Sequence, residues 1–168
     1  MLLQYFADEQ QLAAMVYWTF GDTQRATWPS LAWMTVIVSV SVLYFVSQSW
    51  NYNALALGEE NTHSLGVSVK RLRLGTMLVA SLLTSVLVAA LGIIGFVGLV
   101  VPHFVRLLVG TDNRFVLPCS LVCGALLLLA SDTLAKTVIS ERLVPVSILT
   151  AFLGAPVFLL MLLKRRDI

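Results

Sequence analysis

Apolar residues fall in long runs along this chain, and short polar stretches separate the runs. A bilayer core about 30 Å thick takes roughly 20 residues as a helix. On that scale the pattern predicts five membrane-crossing helices, over about Pro29 to Val46, Leu74 to Leu91, Ile93 to Leu108, Phe115 to Val138 and Pro145 to Leu163. β-Branched residues in the first run would favour a strand in water. In lipid the backbone must satisfy itself, so length decides for helix. Small residues recur along the second run (Gly75, Ala80, Ser81, Thr84, Ser85, Ala89, Ala90) and let helices approach closely, which predicts a bundle. The fourth run carries Pro118 near its start, and the fifth carries Gly154-Ala155-Pro156, a predicted kink.

The longest polar stretch is residues 47–73, SQSWNYNALALGEENTHSLGVSVKRLR. Apolar Leu55, Leu57, Leu65 and Val67 interrupt it, and Gly58 and Gly66 break it. The pattern predicts two short helices, one ending at Gly58 and one from Glu59 to Leu65. Residues 1–28 place Leu12, Met15, Val16 and Phe20 at helical spacing, then turn at Gly21-Asp22-Thr23. With Tyr17, Trp18 and Trp28 they are expected to lie at a membrane interface. Asp8 and Glu9 interrupt the N-terminus, which has no basic region or small-residue cleavage site, so targeting is expected to rest with the later spans.

Composition agrees with this reading. Of 168 residues, 58% are hydrophobic and only 12% charged, against about 25% charged in soluble domains. Mean hydropathy is +0.89. A net charge of +2, held in short clusters, gives no reason to expect nucleic acid as a partner. Lys70, Arg71 and Arg73, then Arg114, then Lys164 to Arg166 fall on one side of the predicted bundle, which makes that side and the C-terminus cytoplasmic. Cys119 and Cys123, four apart in an apolar run, read as small residues on a buried helix face.

Candidate chemistry is sparse. The chain has no phosphate-binding glycine loop, no CxxC pair, no HExxH and no GxSxG. From Gly92 to Gly110 only Pro102, His103 and Arg106 break the apolar run, and the turn Thr111-Asp112-Asn113-Arg114 follows. An isolated His103 beside a proline reads as a packing or capping residue before it reads as a ligand. An intramembrane enzyme would have to use His103 and Asp132. Asp132 and Lys136 are four apart and able to pair on one helix face. The apolar-studded loop Ala54–Val69 reads as a docking surface for another protein.

Several of these runs together are similar to one family. LALGEENTHSLGVSV, GFVGLVVPHFVRLLVGTDNRFVLP, LLLLASDTLAK and LTAFLGAPVFLLMLLKRR resemble, in order, the C-terminal half of the FecCD-type permeases, the membrane subunits of type II ABC importers for iron–siderophore complexes, haem, cobalamin and related chelates. The resemblance implies an all-α polytopic bundle of about five transmembrane helices, equivalent to the second half of a ten-helix permease. It implies a transport subunit rather than an enzyme, no cofactor of its own, no metal ligands and no catalytic residues, with ATP used by a partner ATPase. The implied coupling residues are Leu55, Leu57, Gly58, Glu59, Glu60, Leu65 and Gly66. Pro102, His103, Arg106, Asp112 and Arg114 match the gate signature, with Asn113 where many members have His. Lys136 and Arg142 match the side that meets a periplasmic substrate-binding protein. Other implied partners are a second permease subunit and membrane lipid, in a bacterial inner membrane. Val144-Pro145-Val146-Ser147 departs from the usual Leu-Pro-Val/Ile-Gly. The family's first five spans have no counterpart, which implies a truncated or split reading frame. The reading from a different class is a free-standing membrane scaffold or channel with no ATPase.

Overall fold

The computed structural model describes residues 8–138 and 146–164. Its helices in chain order are α1 (Glu9–Thr19), a 3-10 turn (Thr23–Arg25), α2 (Trp28–Ser47), α3 (Ser49–Ala56), α4 (Glu59–Ser64), α5 (Val69–Leu91), α6 (Val97–Val109), α7 (Asn113–Val138) and α8 (Val146–Lys164). Among the described residues no strand forms; the isolated parallel bridge Phe20–Ile93 is the exception to helix and turn. Arg142, Val144, Pro145, Arg165 and Arg166 lie outside the described residues.

The expected long helices form where the apolar runs predicted them. Trp28–Ser47, Val69–Leu91 and Asn113–Thr137 are long and apolar enough to cross a membrane. α2 starts sharply because Thr27 Oγ1 accepts from the Ser30 amide while Ser30 Oγ accepts from the Thr27 amide, and Pro29 sits in the first turn. α7 begins at Asn113, two residues before the predicted start, with Pro118 inside it. α8 runs through Pro156.

α6 departs most from expectation. The span predicted from Ile93 becomes helical only at Val97 and has 13 residues, about 20 Å of helix. The residues before it are held by the N-terminal turn instead. The Gly21 amide donates to the Ile93 carbonyl at 3.1 Å and the Asp22 amide to the Leu91 carbonyl at 2.8 Å. These bonds satisfy backbone groups that an interrupted helix would otherwise leave bare in lipid. Gly92 adopts φ 81°, ψ −170°, a conformation open essentially only to glycine. Phe96 follows at φ 65°, the only described non-glycine residue with positive φ.

α6 and α7 form the tightest pair. Val101 and Val105 of α6 and Val116 of α7 make the buried core, with Val97, Cys119, Cys123 and Leu127 packed on it. The residues recur at i, i+4 and i+8 on α6 and at i, i+3, i+7 and i+11 on α7, one stripe on each helix. Lipid tails are as apolar as these side chains, so close van der Waals packing holds the pair. Cys119 and Cys123 are both free and partly buried in this seam. α2 packs on α5 and α7, and α8 on α7 and α6.

Candidate functional site

The helices run back and forth between two ends, and most residues singled out in the sequence collect at one of them. That end carries the foot of α2, all of α3 and α4, the start of α5 and the α6–α7 turn. α3 lies against the start of α7.

The turn Thr111–Arg114 is built as a helix cap. Asp112 precedes α7, and its Oδ1 accepts from the Arg114 amide at 3.0 Å, satisfying a donor that the helix start leaves free. Arg114 folds back on the same carboxylate, with Nε 3.0 Å and one terminal nitrogen 2.7 Å from Oδ2. The Arg114 guanidinium also lies 4.1 Å from the centre of the Trp50 ring on α3, within cation–π range. The side-chain and backbone bonds from Arg114, with a further bond from Asn53, hold the Asp112 carboxyl well below the usual carboxylate range.

Asn53 of α3 joins this turn to the polar loop. Its Nδ2 donates to Asp112 Oδ1 at 2.7 Å, and its Oδ1 accepts from the Asn113 amide at 2.8 Å and from Asn113 Nδ2 at 2.9 Å. Segments 60 residues apart in sequence are thereby tied through one side chain. Tyr52, one residue earlier, meets Thr76 Oγ1 of α5 at 2.8 Å, and burial pushes its phenol pKa up, with the Thr76 bond pulling the other way.

Within the loop the two predicted short helices form as α3 and α4. Leu57 and Leu65 project at 66% and 62% exposure. Gly58 and Gly66, at φ 104° and 79°, flank α4. Leu55 is partly buried and Glu60 exposed. Glu59 pairs with Arg73 of α5 at 2.7 Å. Both partners are more than half exposed, so the pair contributes about 0–1 kcal/mol. Thr62 matters more to the loop's shape. It is fully buried, and its hydroxyl donates towards the carbonyls of Ala54 at 2.9 Å and Gly58 at 2.7 Å. Leaving such groups unmatched costs about 1–3 kcal/mol.

Pro102 and His103 sit half-buried in the middle of α6, and Arg106 is exposed in its last turn. A cation there faces the negative pole of the helix. Pro102 has no amide hydrogen, so the Gly98 carbonyl lacks its usual helical donor. His103 has no hydrogen-bond partner among the described residues. Asp132 lies near the far end of α7, so His103 and Asp132 are displaced by roughly 18 Å along the helix axes. The two cannot act on one substrate atom, which removes the basis for an intramembrane enzyme built on that pair. No three His, Cys, Asp or Glu side chains converge as a metal set among the described residues.

At the opposite end Lys136 Nζ reaches Asp132 Oδ2 at 2.5 Å, the pairing that the spacing predicted. Thr23 Oγ1 adds a bond to Asp132 Oδ1 at 2.9 Å, which the sequence did not signal. The Ser147 amide donates to the Gly21 carbonyl at 3.2 Å. Gly154 packs on Phe96 so closely that a Cβ there would lie 2.7 Å from the Phe96 Cβ. Asn53 and Thr62 are the site residues that sequence reasoning missed. Thr62 carries one local signal, a hydroxyl four residues after Gly58, the spacing for a bond back to a helical carbonyl.

Known proteins of similar sequence and shape bear on this arrangement. An ABC transporter permease of Methanocaldococcus jannaschii is 59% identical over 164 residues, covering 98% of this chain and 47% of that protein. The hemin transport system permease protein of Yersinia pestis is 39% identical over 166 residues, covering 99% of this chain and 50% of the relative. A solved metal-chelate type ABC transporter in an inward-facing conformation superposes with a TM-score of 0.90 at 36% identity, covering 97% of this chain and 53% of that one. The chain therefore has the ABC permease fold and spans about half the length of the curated relatives it matches. The family model of the FecCD transport family matches residues 1–164, and the chain belongs to that family.

Proposed function

We propose that this chain is the part of an importer permease that receives the stroke of a partner ATPase and passes it to the α6–α7 hairpin. The cargo would be an iron–siderophore, haem, cobalamin or similar metal chelate, crossing the inner (plasma) membrane. The segment Leu55–Gly66 docks on the ATPase from the cytoplasmic side, with Leu57 and Leu65 as its apolar contacts. The C-terminus lies on that same side. A substrate-binding protein approaches the opposite end near Lys136, and a second permease subunit completes the pathway. ATP hydrolysis belongs to the partner, and this chain changes packing without covalent chemistry.

The observation that carries this reading is the Asn53 bridge. A loop that moved with a docked protein would pull on Asp112 and Asn113, hence on the start of α7 and the seam it shares with α6. Mild-detergent purification tests the docking. An ABC ATPase should co-purify with the wild-type chain and be lost from Leu57→Asp and Leu65→Asp. Recovery of the wild-type chain without any ATPase would favour the scaffold reading. The transmission step is tested by Asn53→Ala. In a transporter that contains this chain it should keep the ATPase bound yet lower chelate uptake at least tenfold per ATP hydrolysed.

A further inference from the structure

Where α4 meets α5, a cavity of about 300 Å³ opens to the surface, lined by Glu59, His63, Lys70, Arg73, Leu74 and Met77, with Val69 at its back. Its chemistry is graded along α5. Lys70 and Arg73 come first along α5, and Leu74 and Met77, both more than half exposed, follow. Lys70 has no carboxylate partner among the described residues, while Arg73 is shared with Glu59. Leu74, Met77 and Leu78 are exposed on a helix long and apolar enough to cross a membrane. From Lys70 to Met77 is about 10 Å along the helix, comparable with the about 5–10 Å depth of the headgroup–acyl boundary.

We propose that this pocket binds the phosphate of an anionic phospholipid, with Lys70 and Arg73 on the phosphate and Leu74 and Met77 against the start of an acyl chain. Arg71 belongs to the same basic cluster but does not line the pocket. The site is therefore distinct from the diffuse positive charge that any cytoplasmic membrane boundary carries. Phosphate oxygens compete with Glu59 for Arg73, so the bound lipid loosens the tie between α4 and α5. An acidic side chain of a docked protein would satisfy the two cations but not Leu74 and Met77, which continue into the exposed apolar face of α5 with Leu78. Glu59 and His63 line the pocket and belong to the Leu55–Gly66 segment, so the test must separate bound lipid from a docked ATPase.

Native mass spectrometry of the full chain in detergent, titrated with phosphatidylglycerol, phosphatidylcholine or inorganic phosphate, tests it. Phosphatidylglycerol should bind preferentially. Its affinity should fall about fivefold in Lys70→Gln and in Arg73→Gln, from roughly 1 kcal/mol per cation near a membrane surface. Lys70→Arg should retain binding, Arg71→Gln should change it less than about twofold on the same scale, and Glu59→Gln should strengthen it. Equal losses in all three neutralised variants would overturn the pocket in favour of diffuse charge. Equal binding of phosphatidylcholine would overturn the anionic headgroup, and displacement by equimolar inorganic phosphate would overturn the lipid. Protection of Lys70 from amine acylation by a co-purified ATPase, but not by phosphatidylglycerol, would assign the pocket to a protein partner and overturn the proposal.

Discussion

At the end that carries Asn53 and Asp112, distant segments are joined through side chains that water can reach. At the opposite end Thr23 and Asp132 also meet through side chains, but Gly21 meets Ile93 and Ser147 through backbone atoms, and Gly92 and Gly154 sit where a side chain would collide. The two constructions respond differently to force. A side-chain tie can open and re-form with a change of rotamer. A backbone tie packed against glycine moves only if the chain itself moves. The first end therefore suits a joint and the second an anchor.

Substitutions can break or sharpen that contrast. The largest effect is expected at Gly92, where a Cβ would lie 2.8 Å from the Trp18 carbonyl oxygen and the backbone is in a glycine-only region. Gly92→Val should cost about 2–4 kcal/mol, as overpacking and strained φ add, and it should show as a lower unfolding temperature in detergent. If it is tolerated, the anchor is not rigid. Gly154→Ala comes next, at about 1–3 kcal/mol, because its new methyl meets the fixed Phe96 Cβ. Phe96→Gly should restore most of that loss by removing both the obstacle and a positive-φ side chain; a double variant no better than Gly154→Ala would rule out this contact.

Effects at the other end should be smaller and local. Thr62→Val keeps the shape but leaves the Ala54 and Gly58 carbonyls without the hydroxyl. The Leu57 and Thr62 amides still donate to these carbonyls, so the change should cost about 0.5–1.5 kcal/mol and speed amide exchange in α4 while leaving α6 protected. The Asp112 network should depend on pH with a definite sign. Its folded-state pKa lies below the ordinary value of 3.8, so its contribution is fully present above pH 3.8 and is lost as pH falls through the lower folded value. Exchange at the Asn113 and Arg114 amides should therefore be constant relative to intrinsic rates from pH 5 to 8 and accelerate in acid. Asp112→Asn should remove the acid step. The smallest structural effect belongs to Glu59→Gln, less than about 1 kcal/mol because the pair is exposed. A clear loss of uptake coupling in that variant, with stability intact, would separate its functional role from its structural one.

How much of this could be read from sequence differs in the same way between the two ends. Length and hydropathy marked α2, α5 and α7 because lipid leaves long apolar runs few alternatives. Gly58 and Gly66 marked α4, and spacing alone marked Asp132 with Lys136. The late start of α6 was not legible, since Gly92–Phe96 has the composition of the span that follows. It is unwound by Gly21 and Asp22, which bond to Ile93 and Leu91 from far along the chain. Asn53 has the same difficulty. Nothing local distinguishes it from Asn51 or Asn61, and its role exists only once α3 lies against α7. Resemblance drew attention to Asp112 and Arg114, and geometry then supplied what they do locally, capping and fastening one helix start.

The short α6 has an electrical consequence. It covers about 20 Å where the hydrocarbon is about 30 Å thick. The rest of that thickness beside it is irregular chain and a turn. With the C-terminal end of α6 at the Thr111–Arg114 turn, its N-terminal end, the positive pole of the helix dipole, falls about 10 Å short of the far boundary. There, beyond the reach of dissolved salt, it attracts an anion over a longer distance than the same helix end would at a surface.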